Sequence, residues 1–124
     1  MDFSEKQPIY LQIIDFFCSR ILEKKWTPDD RIPSVREIAV KMEVNPNTAM
    51  RAFHYLQEKE ILFNQRGIGY FVSENAYQKV LELKRTEFIS EKLPVFFRDM
   101  NLLGISFDEL KILYDKYGSQ STGG

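Results

Sequence analysis

Two helix starts stand only eleven residues apart in this chain, and that spacing constrains the fold more than any other feature. Ser34-Val35-Arg36-Glu37 reads as a capping box, Ser34 capping and Glu37 reaching back. Pro33 disfavours helix at Ile32, so the helix opens at Ser34. Val35, Ile38, Ala39 and Met42 follow at helical spacing, which predicts a short helix over about 34–42. Asn45 reads as a second N-cap with Pro46 at the first helical position. Ala49, Ala52, Phe53 and Leu56 then form the inward face of a helix over about 46–58. A joint of about three residues sets the two helices at a steep angle. The second can then lie in a DNA major groove while the first crosses the phosphate backbone.

The flanking segments complete the pattern. Pro8 suits a first-turn position, and Ile9, Ile13, Phe16, Phe17 and Ile21 carry a helix towards Lys24-Lys25. Thr27-Pro28-Asp29-Asp30 is a turn cluster. Ile61–Gln65 and Tyr70–Val72 are β-type runs, and Arg66-Gly67-Ile68-Gly69 supplies the hairpin turn between them. From Asn75 the helical pattern resumes through Tyr77, Val80, Leu81 and Phe88 towards Met100, with a kink or break expected at Pro94. Gly104 is a stop, and Ser106-Phe107-Asp108-Glu109 is a further capping box, opening a last helix through Leu110, Leu113, Tyr114 and Tyr117. The expected fold is mainly α with a small β-hairpin. Residues 1–73 form a winged helix-turn-helix, 74–117 a two-helix dimerisation appendage, and 118–124 a disordered tail.

Composition removes other classes. The 124 residues carry 17 basic and 18 acidic side chains, so DNA binding has to rest on local charge. Between Arg31 and Leu56 there are four basic residues and two acidic ones. No apolar run approaches the roughly 20 residues of a membrane span, and the start of the chain is polar without a secretory pattern. Cys18 is the single cysteine and His54 the single histidine, so neither an internal disulfide nor a metal site is expected. Cys18, among apolar neighbours, reads as a buried structural thiol, and the compartment as cytoplasmic. Asp29-Asp30 and Glu58/Glu60 are carboxylate pairs without a nucleophile, and Gly67 and Gly69 lack the Lys-Ser/Thr of a phosphate loop. No enzyme activity and no cofactor are expected.

On the helix over 46–58, Asn47, Arg51 and His54 lie opposite the apolar face, with Met50 and Tyr55 on its flanks. Asn bonds adenine edges and Arg guanine edges bidentately, and Thr48 and Met50 can touch a thymine methyl. Arg36 is either a solvated surface residue or a phosphate contact, and the flanking motif favours phosphate. Asn45 is first a cap. His54 suits solvent and phosphate equally.

These segments carry a family resemblance. Arg31-Ile32-Pro33-Ser34-Val35-Arg36-Glu37-Ile38-Ala39 resembles the opening signature of the GntR family of bacterial transcription regulators. Val44–Ala52 resembles the family's recognition helix, Gly67–Val72 its wing, and Pro8–Ile13 its first helix. The residues left after position 73, together with Asn45-Pro46-Asn47-Thr48, resemble the YtrA-like branch, whose short helical tails dimerise. Many members carry Arg where Pro46 and Met50 stand here. The resemblance implies that Arg36, Thr48 and the wing tip touch DNA. The full DNA-contact set expected is Ser34, Arg36, Asn45, Asn47, Thr48, Met50, Arg51, His54, Arg66, Gly67 and Gly69. Tyr77, Leu81, Phe88, Phe96, Phe97, Leu103, Leu110 and Leu113 are expected to dimerise, since a dimer core accounts for the aromatic-rich tail better than a ligand pocket does. The expected function is a homodimeric repressor on a twofold-symmetric double-stranded DNA operator, with no membrane partner and no small-molecule effector named. The alternative is a winged-helix module for protein–protein contact without DNA.

Overall fold

The computed structural model describes residues 7–118 and falls into two units, divided between Lys84 and Arg85. The tail expected to be disordered lies outside the described residues, apart from Gly118, which caps the last helix.

The first unit is built on three helices: α1 (Ile9–Leu22), α2 (Val35–Met42) and α3 (Pro46–Glu58). A hairpin of β1 (Leu62–Gln65) and β2 (Gly69–Val72) follows, and then α4 (Ala76–Glu87), within which the division falls. α1 buries Ile13, Ile14, Phe17, Cys18 and Ile21, an arc repeating at the helical period. Ile9, expected in that row, is 48% exposed, because it sits in the first turn and overhangs the core. α2 contributes Ile38 and Ala39, and α3 contributes Ala49, Ala52, Phe53 and Leu56, all four fully buried. Phe53 joins the layers: its ring meets Phe17 edge-on at 5.2 Å and Tyr70 of β2 at 4.8 Å. Truncating Phe17 or Phe53 to Ala is a loss of about 3–5 kcal/mol.

The hairpin is antiparallel, with Leu62 opposite Val72 and Gln65 opposite Gly69. Asp29–Ile32, with Asp29 and Asp30 expected in a turn cluster, runs along the outer edge of β2. Arg31 pairs with Phe71, Ile32 N–H donates to Tyr70 O at 3.0 Å, and Val72 N–H donates to Asp30 O at 3.0 Å. This satisfies an edge that would otherwise be open. So short a pairing has no alternation to betray it in sequence.

The first unit also reaches further along the chain than residue 73. Ala76 and Val80 of α4 are fully buried in its core. Lys79 pairs with Glu60 at 2.8 Å, and Lys84 pairs with Asp15 of α1.

In the second unit a π-helical turn, Phe88–Lys92, leads into α5 (Leu93–Leu102), and α6 (Phe107–Tyr117) follows. The chain stays helical at Pro94, which sits in the first turn of α5. The ring of Pro94 would meet the carbonyl four residues back, and the wider π turn accommodates it. Gly104, at φ +72, ends α5: its N–H donates to Asn101 O and the Ile105 N–H to Met100 O. The Ser106 hydroxyl then accepts the Glu109 N–H at 3.1 Å.

Candidate nucleic-acid interface

The sharp turn between α2 and α3 is made by Glu43, Val44 and Asn45. Glu43 is left-handed at φ +56, and its N–H and that of Val44 close on carbonyls of the last turn of α2. Asn45 Oδ1 accepts the Asn47 N–H at 2.7 Å. That bond occupies the side-chain oxygen and leaves the amide NH₂ for an outside acceptor. At the start of α2 the Ser34 hydroxyl accepts the Glu37 N–H at 3.1 Å, and Glu37 Oε1 accepts the Ser34 N–H at 2.8 Å. The hydrogen bond from the Ser34 N–H, then one from the Ser34 hydroxyl, and the charge of Arg31 hold the Glu37 carboxyl below the usual glutamate range.

Arg36 is exposed in the first turn of α2. On α3, Asn47, Arg51 and His54 are exposed, while Thr48 and Met50 are half-buried. Asn47, Thr48 and Arg51 line one shallow concavity together with Ile9 and Tyr10 of α1. His54 lies one turn further along and is not among its lining residues. At the wing, Arg66 and Gly67 are exposed in the turn, with Gly67 at φ +79. Gly69 stands at φ +145, and a Cβ there would come within 3.0 Å of Arg31 Nε. The side chain of Arg31 therefore crosses the base of the wing, over a position that only glycine leaves open.

Two residues of this face carry no sequence signal that assigns them to it. Tyr10 lies under Arg51, 41 positions away, with no local pattern linking them. Arg31 enters the local charge but not the expected contact set, although it opens the Arg31-Ile32-Pro33 motif.

The residues expected to dimerise fall into two groups. Tyr77 and Leu81 are half-buried in the first unit, where Tyr77 packs against the core and carries Lys24 Nζ 5.0 Å above its ring. In the second unit Phe88, Phe96, Phe97, Leu103 and Leu113 are exposed and Leu110 is half-buried. Met100 is the one buried residue of that unit among those described.

Among the described residues no group of three His, Cys, Asp or Glu side chains could hold a metal ion, and no helix is long and apolar enough to cross a membrane. Cys18 is buried in α1.

Residues 9–72 match the family described as "Bacterial regulatory proteins, gntR family". The HTH-type transcriptional repressor YtrA of Bacillus subtilis is 34% identical over 117 residues, covering 94% of this chain and 89% of the repressor. A crystal structure of a GntR-family transcriptional regulator from Bacteroides thetaiotaomicron is 41% identical, with a TM-score of 0.76 over 92% of this chain and 99% of that one. The DNA-binding domain of AraR, solved in complex with its operator ORR3, is 30% identical with a TM-score of 0.52 over 53% of this chain and 80% of that one.

Proposed function

The chain belongs to the GntR family of bacterial regulatory proteins, a winged helix-turn-helix transcription regulator, and from that premise we propose that it is a cytoplasmic repressor binding a twofold-symmetric operator as a homodimer. The observation that carries this reading is the outward face of α3. Asn47, Thr48 and Arg51 stand together at its N-terminal end, where a recognition helix meets base edges. Arg36, Ser34 and the free NH₂ of Asn45 mark two helix starts and take phosphates. Arg66 and Gly67 carry the wing to the adjacent backbone or minor groove. An operator-bound relative, AraR, supports DNA as the partner, and the repressor YtrA supports the direction of regulation. Operator occupancy then blocks the promoter.

The homodimer is supported by the second unit. Its aromatic and aliphatic side chains, Phe96, Phe97, Leu102, Leu103 and Phe107 among them, are 46–77% exposed, and monomers rarely leave contiguous apolar patches open to water. A second copy, related by a twofold axis, is the simplest cover. Two recognition helices about 34–36 Å apart then read successive turns of one DNA face.

Selection of bound DNA from a random pool tests the proposal. A palindromic consensus is the expected result. An asymmetric half-site would overturn the dimer, and no enrichment would turn the reading to a protein–protein module.

A further inference from the structure

The guanidinium of Arg51 does not stand alone on the recognition helix. Its central carbon lies 3.7 Å from the centroid of the Tyr10 ring, in the first turn of α1 and outside the helix-turn-helix. The six other cation–ring contacts among the described residues span 5.0–5.9 Å. This one alone is van der Waals contact between a planar cation and a π-face. Tyr10 is half-buried and packs against the core, so α1 holds its ring, while Arg51 remains exposed. Both line the concavity that Asn47 and Thr48 share at the N-terminal end of α3.

We infer that Tyr10 is a positioning residue for base recognition: its ring holds the Arg51 guanidinium beside Asn47 and Thr48, so that the specificity carried by Arg51 depends on a side chain outside the helix-turn-helix. This rests on the reading of Arg51 as a base-reading residue. A guanidinium covered on one face keeps its N–H donors around its rim, open to the O6 and N7 of a guanine. A long side chain ordered in the free protein also loses less freedom when it binds. The ring face, and not the hydroxyl, is the working part. Tyr10→Phe retains it, and Tyr10→Leu removes it while leaving an apolar side chain against the core.

The full-length chain serves for the test. In the free protein, the Arg51 Hε resonance is expected to carry a ring-current shift that persists in Tyr10→Phe and disappears in Tyr10→Leu. Titrations on the selected operator and on single base-pair replacements give the second readout. Arg51→Ala identifies the base pair at which discrimination falls. Tyr10→Leu is expected to lose about two- to five-fold in discrimination at that base pair alone, the scale of an exposed cation–π contact. Tyr10→Phe loses none, and the double variant is no worse than Arg51→Ala. Tyr10→Met repeats the measurement if the Leu variant does not fold. Equal weakening on every DNA, in Tyr10→Phe as well, overturns the inference in favour of a hydroxyl on phosphate. Tighter binding by Tyr10→Leu overturns it in favour of a ring that parks Arg51 away from the groove. If Arg51→Ala discriminates as the parent does, the base-reading assignment falls, and the positioning role with it. A discriminating Arg51 beside a neutral Tyr10→Leu overturns the role of Tyr10 alone.

Discussion

Arg36 and Arg51 carry the same charge but stand where different parts of a DNA duplex would meet them. Arg36, exposed in the first turn of α2, is the phosphate contact in the proposed reading. Arg36→Ala should weaken operator and scrambled DNA alike and reduce the slope of log K against log salt by about 0.9, the share of one phosphate contact. Asn47→Ala and Arg51→Ala should instead lose about 1–3 kcal/mol of discrimination each, read as the difference between titrations on operator and on base-pair variants. Glu37 supplies a test by pH. Its carboxyl is held below the usual range by the bonds from Ser34. The capping contribution is therefore complete above the usual glutamate range and is lost as pH falls through the lowered value. Glu37→Gln keeps the acceptor without the charge. The difference in thermal midpoint between the parent and this variant should shrink on acidification from neutral pH, and a difference that stays constant would contradict the assignment. Glu60, held low by Lys79, titrates in the same direction in both proteins and cancels from the comparison.

At the scale of elements, the wing depends on its two glycines unequally. Gly67 has open space around it, so Gly67→Ala meets only the left-handed backbone, a cost of about 1–2 kcal/mol. Gly69 has an unfavourable φ and also Arg31 3.0 Å from where the Cβ would stand. Gly69→Ala should cost more than Gly67→Ala in urea unfolding, and it should also displace Arg31 from the base of the wing. Equal costs would mean that Arg31 swings aside freely. Helix ends follow a related pattern: Lys24 and Glu60 take left-handed conformations just beyond α1 and α3, where Gly104 does so beyond α5. Only the last of these stops announces itself by residue type.

On the scale of the whole molecule, the length of the first unit decides which truncation is informative. A chain ending near residue 74 would lose Ala76 and Val80 from the core, together with the Lys79–Glu60 and Lys84–Asp15 pairs. A chain ending at Lys84 keeps them. It should fold, sediment as a monomer and bind operator far more weakly, because linking two half-site readers raises the effective concentration of the second into the millimolar range. Binding as tight as that of the full chain would remove the dimerisation role from the second unit.

Much of this protein is written in local signals. The Ser34 and Asn45 caps act over two or three residues, and the inward faces of α2 and α3 repeat at the helical period. The turn at Arg66–Gly69 needs glycine. All of these depend on neighbours along the chain, so the helix-turn-helix, the wing and the outward row of Asn47, Arg51 and His54 are legible in the amino-acid sequence by itself. What only the tertiary structure decided depends on partners far along the chain. Asp29–Ile32 lies beside β2 because an open strand edge needs donors and acceptors. Ala76 and Val80 belong to the first unit because the core there has room for them. Tyr10 meets Arg51 across 41 positions because α1 and α3 pack together. Such contacts carry no periodicity and no cap, since they follow from which faces meet, and that is settled only when the core closes.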